Sequence, residues 1–427
     1  MTLFLMLLAL LLLILIDVPI GVALGVTAAA TMVLTWGTHI IPNVGLTLYS
    51  GTTKFTLIAI PLFILAGAIM NATGISRRLI TFTSALIGFV RGGLAMVTIG
   101  SSMFFAEISG SAVAGVAALG SILIPAMQRK GYPKEYAAAV TSSAATLAVI
   151  LPPSLPMIIY AVMAGTSVVE LFLAGAIPGL LGGAMLMGVA WWTAVKNNYP
   201  VEEAFQLSRV RETFKEAAWA LLLPVIVLGG IFSGWVTATE GAGLAVVAAL
   251  LIGSLVYREL NWSVLRTAMV EGGLQTATVM LLVGASALLG DYLIGVQAPQ
   301  MFAESLMEFT SSRWMILLIL NIFFLVIGLF MHSAAAIILV VPIVMPLVHA
   351  AGIDPVHFGL IVTLNMGVGQ QTPPVASVLV TACSIAKADI WDVSKANVPF
   401  VAVLVFILFL VTYVPAIPMF LVEYFYR

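Results

Sequence analysis

The chain has 427 residues, 62% of them hydrophobic and only 8% charged, with a formal net charge of −1. A soluble globular chain carries roughly 25% charged residues, so that class is excluded. No basic tract points to nucleic acid, and the single cysteine, Cys383, excludes an intrachain disulfide or a cysteine metal cluster and reads as a small packing residue. The composition predicts an all-α polytopic membrane protein whose solvent is the lipid bilayer.

In chain order, apolar stretches run 3–36 (interrupted at Asp17-Val18-Pro19), 55–72, 94–127, 135–165 (broken at Pro152-Pro153) and 169–195. A polar linker over 196–216, expected in the cytoplasm, separates these from 217–257 (interrupted near Thr237 to Glu240), 274–294, 314–349, 355–386 (broken at Gln370-Gln371-Thr372-Pro373-Pro374) and 396–423. The first stretch has no basic n-region and no small-residue cleavage site, which predicts a retained membrane segment. Arg77, Arg78, Arg91, Arg129, Lys130 and Lys134, then Lys196, Arg209, Arg211 and Lys215, mark cytoplasmic loops by the positive-inside rule. Trp191, Trp192, Trp235, Trp262 and Trp314 fall near segment ends, where aromatic side chains anchor at the interface.

The two proline breaks are related by 373 − 152 = 221 residues, and the same offset relates Gly74 to Gly295, Pro125 to Pro346, Gly131 to Gly352 and Pro178 to Pro399. Four of the six prolines between 111 and 180 match at this offset, against about 0.3 expected from the proline content. The chain therefore reads as two copies, 1–195 and 217–427. Arg91 and Arg129 belong on one side, yet the apolar stretch between them holds no Lys or Arg. This predicts a re-entrant hairpin over about 94–128 with its tip at Glu107-Ile108-Ser109-Gly110-Ser111, and a second over about 314–349 with its tip at Met331-His332-Ser333. Each copy then has five crossings and one hairpin, and an odd number of crossings inverts the second copy, with the N-terminus outside.

Backbone that leaves helical geometry within a bilayer is tolerated only where it is buried or lines a polar cavity. Four such places are predicted: two hairpin tips and two broken helices, over about 135–165 and 355–386. Ser109, Gly110 and Ser111 at the first tip, and Thr146 and Pro152 at the first break, offer hydroxyls and freed carbonyls, hard donors suited to sodium. Met331, His332, Ser333, Gly369, Gln371 and Thr372 are the corresponding candidates of the second copy. Opposed half-helix ends hold a carboxylate without a buried Lys or Arg, and Ser142, Ser143, Ser154, Thr363, Asn365 and Gln370 are candidate hydrogen-bond partners of such a substrate. Glu107 reads either as an ion or proton carrier or as a protonated acid bonded to backbone. His332 reads as cation-sensitive or as a neutral hydrogen-bonder, His39, His349 and His357 as interfacial, and Glu240 as a helix cap.

Ser109-Gly110-Ser111-Ala112, Gly131-Tyr132-Pro133, Pro152-Pro153-Ser154-Leu155-Pro156, Leu171 to Gly175 with Pro178-Gly179, Gly229 to Gly234 followed by Thr239-Glu240, and Thr372-Pro373-Pro374 resemble the large membrane subunit of tripartite ATP-independent periplasmic (TRAP) transporters, the DctM/SiaM type. The resemblance covers nearly the whole chain. It implies an elevator-type, inverted-repeat importer in the bacterial inner membrane, driven by two or more sodium ions and carrying an organic acid such as a C4-dicarboxylate or sialic acid. It also implies two partners, a small four-helix membrane subunit (Q-type) and a periplasmic substrate-binding protein (P-type). The chain departs from the family pattern at Gly115, where an Asp is common, at His332, where an acid is common, and at Glu107, where an apolar residue is usual. An intramembrane enzyme finds no support, since His-Glu-x-x-His and Asp-Asp-x-x-Asp spacings are absent. A channel, or a sodium-coupled carrier acting without a binding protein, remains an alternative separable by transport assay.

Overall fold

The computed structural model describes residues 2–16, 18–201 and 204–426; the side chains of 2–4, 7, 15 and 107–109 lie outside those described. The predicted side-chain roles of Glu107 and Ser109 therefore fall outside the described residues. No strand occurs among the described residues. The first copy comprises α1 (Thr2–Leu15), α2 (Ile20–Trp36), α3 (Ile41–Thr52), α4 (Ala59–Ala72), α5 (Ile75–Ile87), α6 (Gly93–Ser109), α7 (Ala112–Gly115), α8 (Ser121–Arg129), α9 (Lys134–Thr146), α10 (Leu155–Ala164) and α11 (Val168–Lys196). The second comprises α12 (Leu207–Phe232), α13 (Ala238–Leu251), α14 (Trp262–Gly295), α15 (Ala298–Phe309), α16 (Arg313–Phe330), α17 (Ser333–Ala350), α18 (Pro355–Gly369), α19 (Ser377–Ala386), α20 (Ile390–Tyr413) and α21 (Ala416–Tyr426).

Nine helices among the described residues are long and apolar enough to cross a membrane. The duplication holds element by element: α9 and α18 start 355 − 134 = 221 residues apart, and α3 and α14 start 262 − 41 = 221 apart. The long α14 is interrupted in the first copy, where α3 ends at Thr52 and α4 begins at Ala59. Three elements had no counterpart in the hydropathy pattern: α3, whose polar Asn43, Thr47 and Ser50 interrupt its apolar residues, and two others. Helices α5 and α15 are short and amphipathic, with charged side chains on the outer face, so their mean hydropathy hides them. The stretch 396–423 is also two helices, divided at Pro415, which cannot continue the hydrogen-bond ladder.

Copies interlock. Helix α4 packs on α13 and α2 on α14, while α9 packs on α19 and α20, and α10 on α17. The relative direction of the two broken helices follows from three hydrogen bonds. Tyr160, late in α10, donates its hydroxyl to the carbonyl of Pro355 at the start of α18, 2.7 Å away. At the opposite end, Gln128 and Lys134, flanking the start of α9, donate to the carbonyls of Ala386 and Lys387 at the end of α19, both at 3.1 Å. Each broken helix begins where the other ends, as an inverted pair must.

Charged residues outside the apolar spans cap and clamp. Thr237 and Glu240 form a reciprocal capping box on α13, the role read for Glu240 from the sequence. Arg78, in α5, bonds Glu259 at 2.7 Å and stacks 3.8 Å over the Tyr257 ring, tying the first copy to the loop after α13. That hydrogen bond, assisted by the nearby Arg77, holds the Glu259 carboxyl below its ordinary range.

Candidate functional site

The first hairpin turns at Gly110, whose φ of +57° is open to glycine at little cost. A Cβ there would stand 3.0 Å from both the Leu155 nitrogen and the Pro153 oxygen, so the tip is pressed against the first break. The Gly110 carbonyl accepts from the Leu155 N–H at 3.3 Å. Ser111 caps the returning arm, its hydroxyl accepting from the Ala114 N–H at 3.4 Å. The second hairpin turns through extended Met331 and His332 into α17, which starts at Ser333. Its arm approaches the second break as closely as backbone allows: a Cβ on Gly369 would lie 2.6 Å from the Gly328 Cα. The Leu329 carbonyl accepts from the Val375 N–H at 3.3 Å, so each tip is bonded to the break of its own copy.

At the first break α9 tightens through a short 3₁₀ turn (Leu147–Val149), and the chain then passes Pro152 and Pro153, which supply no N–H to continue the ladder. Ser154 donates its hydroxyl to the Val149 carbonyl at 2.8 Å. The second break runs from Gln370 to Ala376 before α19 begins. Both proline pairs are joined by cis peptide bonds. The C-terminal ends of α9 and α18 thus meet the N-terminal ends of α10 and α19 within the fold, placing the carbonyl ends and the amide ends of helices side by side.

The two breaks are joined. The Gln371 amide donates to the Ser142 carbonyl at 2.8 Å and to the Thr146 hydroxyl, both on α9. Its carbonyl accepts from the Asn397 amide of α20 at 3.0 Å, and Asn397 in turn accepts from the Ser143 hydroxyl at 2.7 Å. Ser142, Ser143, Thr146, Gln371 and Asn397 are all buried. Gln370 points the other way, donating to the Ser333 hydroxyl of the second tip and accepting from Ser377 at 3.4 Å. A second network runs along the hairpin arm: Asn365 donates to Asn321 of α16 at 2.6 Å, and Asn321 donates to Thr412 of α20 at 3.2 Å. The Asn365 side-chain oxygen is buried and takes no hydrogen bond.

The structure thus gathers Gly110, Ser111, Thr146, Pro152 and Ser154 around the first break and Met331, Ser333, Gly369, Gln370, Gln371 and Thr372 around the second. His332 lies open at the surface beside the second tip. Ser142 and Thr363 spend their hydroxyls on Ala139 and Leu360 of their own helices, at 3.0 Å each. Such donation leaves the oxygen lone pairs free to accept. His357, read as interfacial, is instead fully buried, with Nε2 2.7 Å from the Val411 carbonyl. Sequence reasoning missed Asn321, Asn397 and Thr412. Their signal was a lone amide or hydroxyl inside an apolar helix, a residue type that bonds across helices in membranes. Among the described residues no group of three or more His, Cys, Asp or Glu could hold a metal ion. The described side chains at the two breaks, Ser142, Thr146, Ser154, Gln370, Gln371 and Thr372, are neutral.

Fold and site together define a duplicated membrane protein whose two helix breaks converge on one neutral polar centre. The family model of the "Tripartite ATP-independent periplasmic transporter, DctM component" matches residues 7–417, and the chain belongs to that family. It is 38% identical to the C4-dicarboxylate TRAP transporter large permease protein DctM of Pseudomonas aeruginosa, over 92% of either chain. It is 37% identical to the 2,3-diketo-L-gulonate TRAP transporter large permease protein YiaN of Escherichia coli, over 86% of this chain and 87% of that one. The isethionate TRAP transporter permease protein DctMQ of Oleidesulfovibrio alaskensis is 41% identical over 93% of this chain, which spans 62% of that longer protein. Among solved structures the YdaH transporter of Alcanivorax borkumensis shares the fold, with a TM-score of 0.63 over 88% of both chains at 15% identity.

Proposed function

We propose that this chain is the large membrane subunit of a sodium-driven importer that carries a small organic acid anion across the bacterial inner membrane. The observation that carries the reading is the contact between the two breaks: Gln371 of one copy bonds Ser142 and Thr146 of the other in a buried, uncharged centre. Carbonyls and hydroxyls of the tips and breaks, at Gly110, Ser111, Ser333, Thr146 and Thr372, have more than one lone pair each and supply the hard neutral oxygens that sodium takes. Neutral ligands let the site empty again without dragging a fixed charge through the lipid. The amide ends of α10 and α19 supply partial positive charge for a carboxylate or sulfonate. Relatives named for a C4-dicarboxylate, a diketogulonate and isethionate share that anionic head.

Import against a gradient needs a driving force. Each net positive charge moved inward through 100 mV yields about 2.3 kcal/mol, so the potential drives import when sodium exceeds the anion's own charge, with two or more ions for a monoanion and three or more for a dianion. In this reading the hairpins and broken helices move as a block in an elevator motion against a frame built on α4, α13, α2 and α14. A small four-helix subunit braces that frame, and a periplasmic binding protein delivers the acid. The length of the DctMQ relative accommodates such an added unit. Uptake of labelled acid into proteoliposomes holding this chain, its small subunit and the loaded binding protein tests the proposal. Accumulation is expected with an inward sodium gradient and none with potassium; sodium-independent equilibration, or uptake without the binding protein, contradicts it.

A further inference from the structure

We infer that Asn397 is a positioning residue that holds Gln371 across the first broken helix, so that the two half-sites bind sodium as a coupled pair. The inference rests on the sodium-driven reading above and deepens it. Gln371 belongs by sequence to the second break, yet both of its amide hydrogens are used on the first broken helix, at the Ser142 carbonyl and the Thr146 hydroxyl. What fixes the amide in that orientation is its own carbonyl, which accepts from Asn397 at 3.0 Å. Asn397 is locked in turn by the Ser143 hydroxyl, which donates to it at 2.7 Å. Ser143 and Thr146 lie three residues apart on one helix face, so the ring Ser143, Asn397, Gln371, Thr146 closes on α9. Gln371 is 2% exposed and Asn397 1%, so water has no room to replace either partner.

Asn397 has no duplicate: 397 − 221 = 176 is Ala176. The ring is therefore a single, asymmetric link between otherwise repeated half-sites. A cation drawn to the Thr146 oxygen at one break must act on Gln371, and through the backbone on Thr372 and Gly369 at the other. Gln371 in this arrangement orients the ligands rather than serving as one, and Asn397 decides whether it can.

The test is the sodium activation curve of acid uptake in proteoliposomes holding the complete transporter, with wild type, Asn397→Ala, Asn397→Val and Asn397→Thr. Asn397→Ala is expected to lower the Hill coefficient for sodium toward 1 and raise the half-saturating sodium concentration about tenfold, with maximal rate at saturating sodium kept within about threefold. Asn397→Thr keeps a hydroxyl that can donate to Gln371 and accept from Ser143, whereas Asn397→Val has the same shape without it. Asn397→Thr should therefore recover cooperativity and a half-saturating concentration within about threefold of wild type, and Asn397→Val should follow Asn397→Ala, a split that a purely structural role would not produce. An unchanged sodium curve in Asn397→Ala, or equal curves for Asn397→Thr and Asn397→Val, overturns the inference while leaving sodium-driven transport intact. Wild-type uptake indifferent to sodium overturns the functional reading itself. Should Asn397→Ala fail to fold, the comparison of Asn397→Thr with Asn397→Val decides alone.

Discussion

The first and second breaks descend from one duplicated segment, and they differ in what precedes the prolines. Val149, Ile150 and Leu151 stand before Pro152-Pro153, where Gln370, Gln371 and Thr372 stand before Pro373-Pro374. The apolar trio is buried with its prolines, and the one hydroxyl that follows, on Ser154, bonds back within the segment. The polar trio reaches outward, to the first broken helix through Gln371 and to the second tip through Gln370, and beyond it the chain is open: Val375 is 47% exposed. The first break is buried and receives the connection; the second supplies it through two buried glutamines and is exposed only at Pro374 and Val375.

Four expectations break or sharpen this contrast. The largest falls on the buried half. Gly110→Ala forces a Cβ into the left-handed region, at about 1–2 kcal/mol, and against the first break at 3.0 Å. Uptake at matched expression should fall at least about tenfold, whereas Met331→Ala at the second tip, which keeps the extended backbone and the carbonyl that position offers, should fall less than about threefold. Equal losses at both tips would remove the distinction between them.

Access is the next contrast, read by thiol labelling. With Cys383 replaced by Ala, Val375→Cys should react with a small maleimide while Leu151→Cys, 3% exposed in the parent, stays unlabelled until the protein is denatured. Labelling of both in the native protein would show that the halves are equally open.

A smaller effect belongs to the second network. Asn321→Ala removes the acceptor of the Asn365 amide and should cost about 1–3 kcal/mol, seen as a lowered thermal unfolding midpoint in detergent. The smallest lies away from both breaks. Arg78→Ala should lower stability by at most about 1 kcal/mol, less in high salt, because its partner Glu259 is partly exposed. Glu259 titrates below its ordinary value when folded, so its contribution is complete at pH 7 and is lost as pH falls below about 4.3. A parent whose unfolding midpoint drops no more steeply than that of Arg78→Ala over pH 5 to 3.5 would contradict the clamp.

Much of this architecture was legible in the residues because a proline pair inside lipid leaves few interpretations. The proline pairs located both broken helices, Arg91 and Arg129 on one side of an uncharged stretch located the first hairpin, and the offset of 221 carried that hairpin to the second copy. The amphipathic α5 and α15 escaped because hydropathy averages over a helix face, and the division at Pro415 was masked by apolar residues on either side. At the site, the repeat selected residues present in both copies. It had no power over Asn397, which lacks a duplicate, nor over the direction in which Gln371 points, which is a property of packing against α9. Glu240 was legible because a Thr three residues before a Glu at a helix start is a local pattern.

The two breaks act as one site across the repeat boundary. A double-mutant cycle between Thr146→Val and Gln371→Leu, read on the half-saturating sodium concentration for uptake, measures that coupling. A coupling of about 1 kcal/mol or more is expected, the double variant being little worse than the poorer single one; additivity within about 0.3–0.5 kcal/mol would mean the breaks act independently.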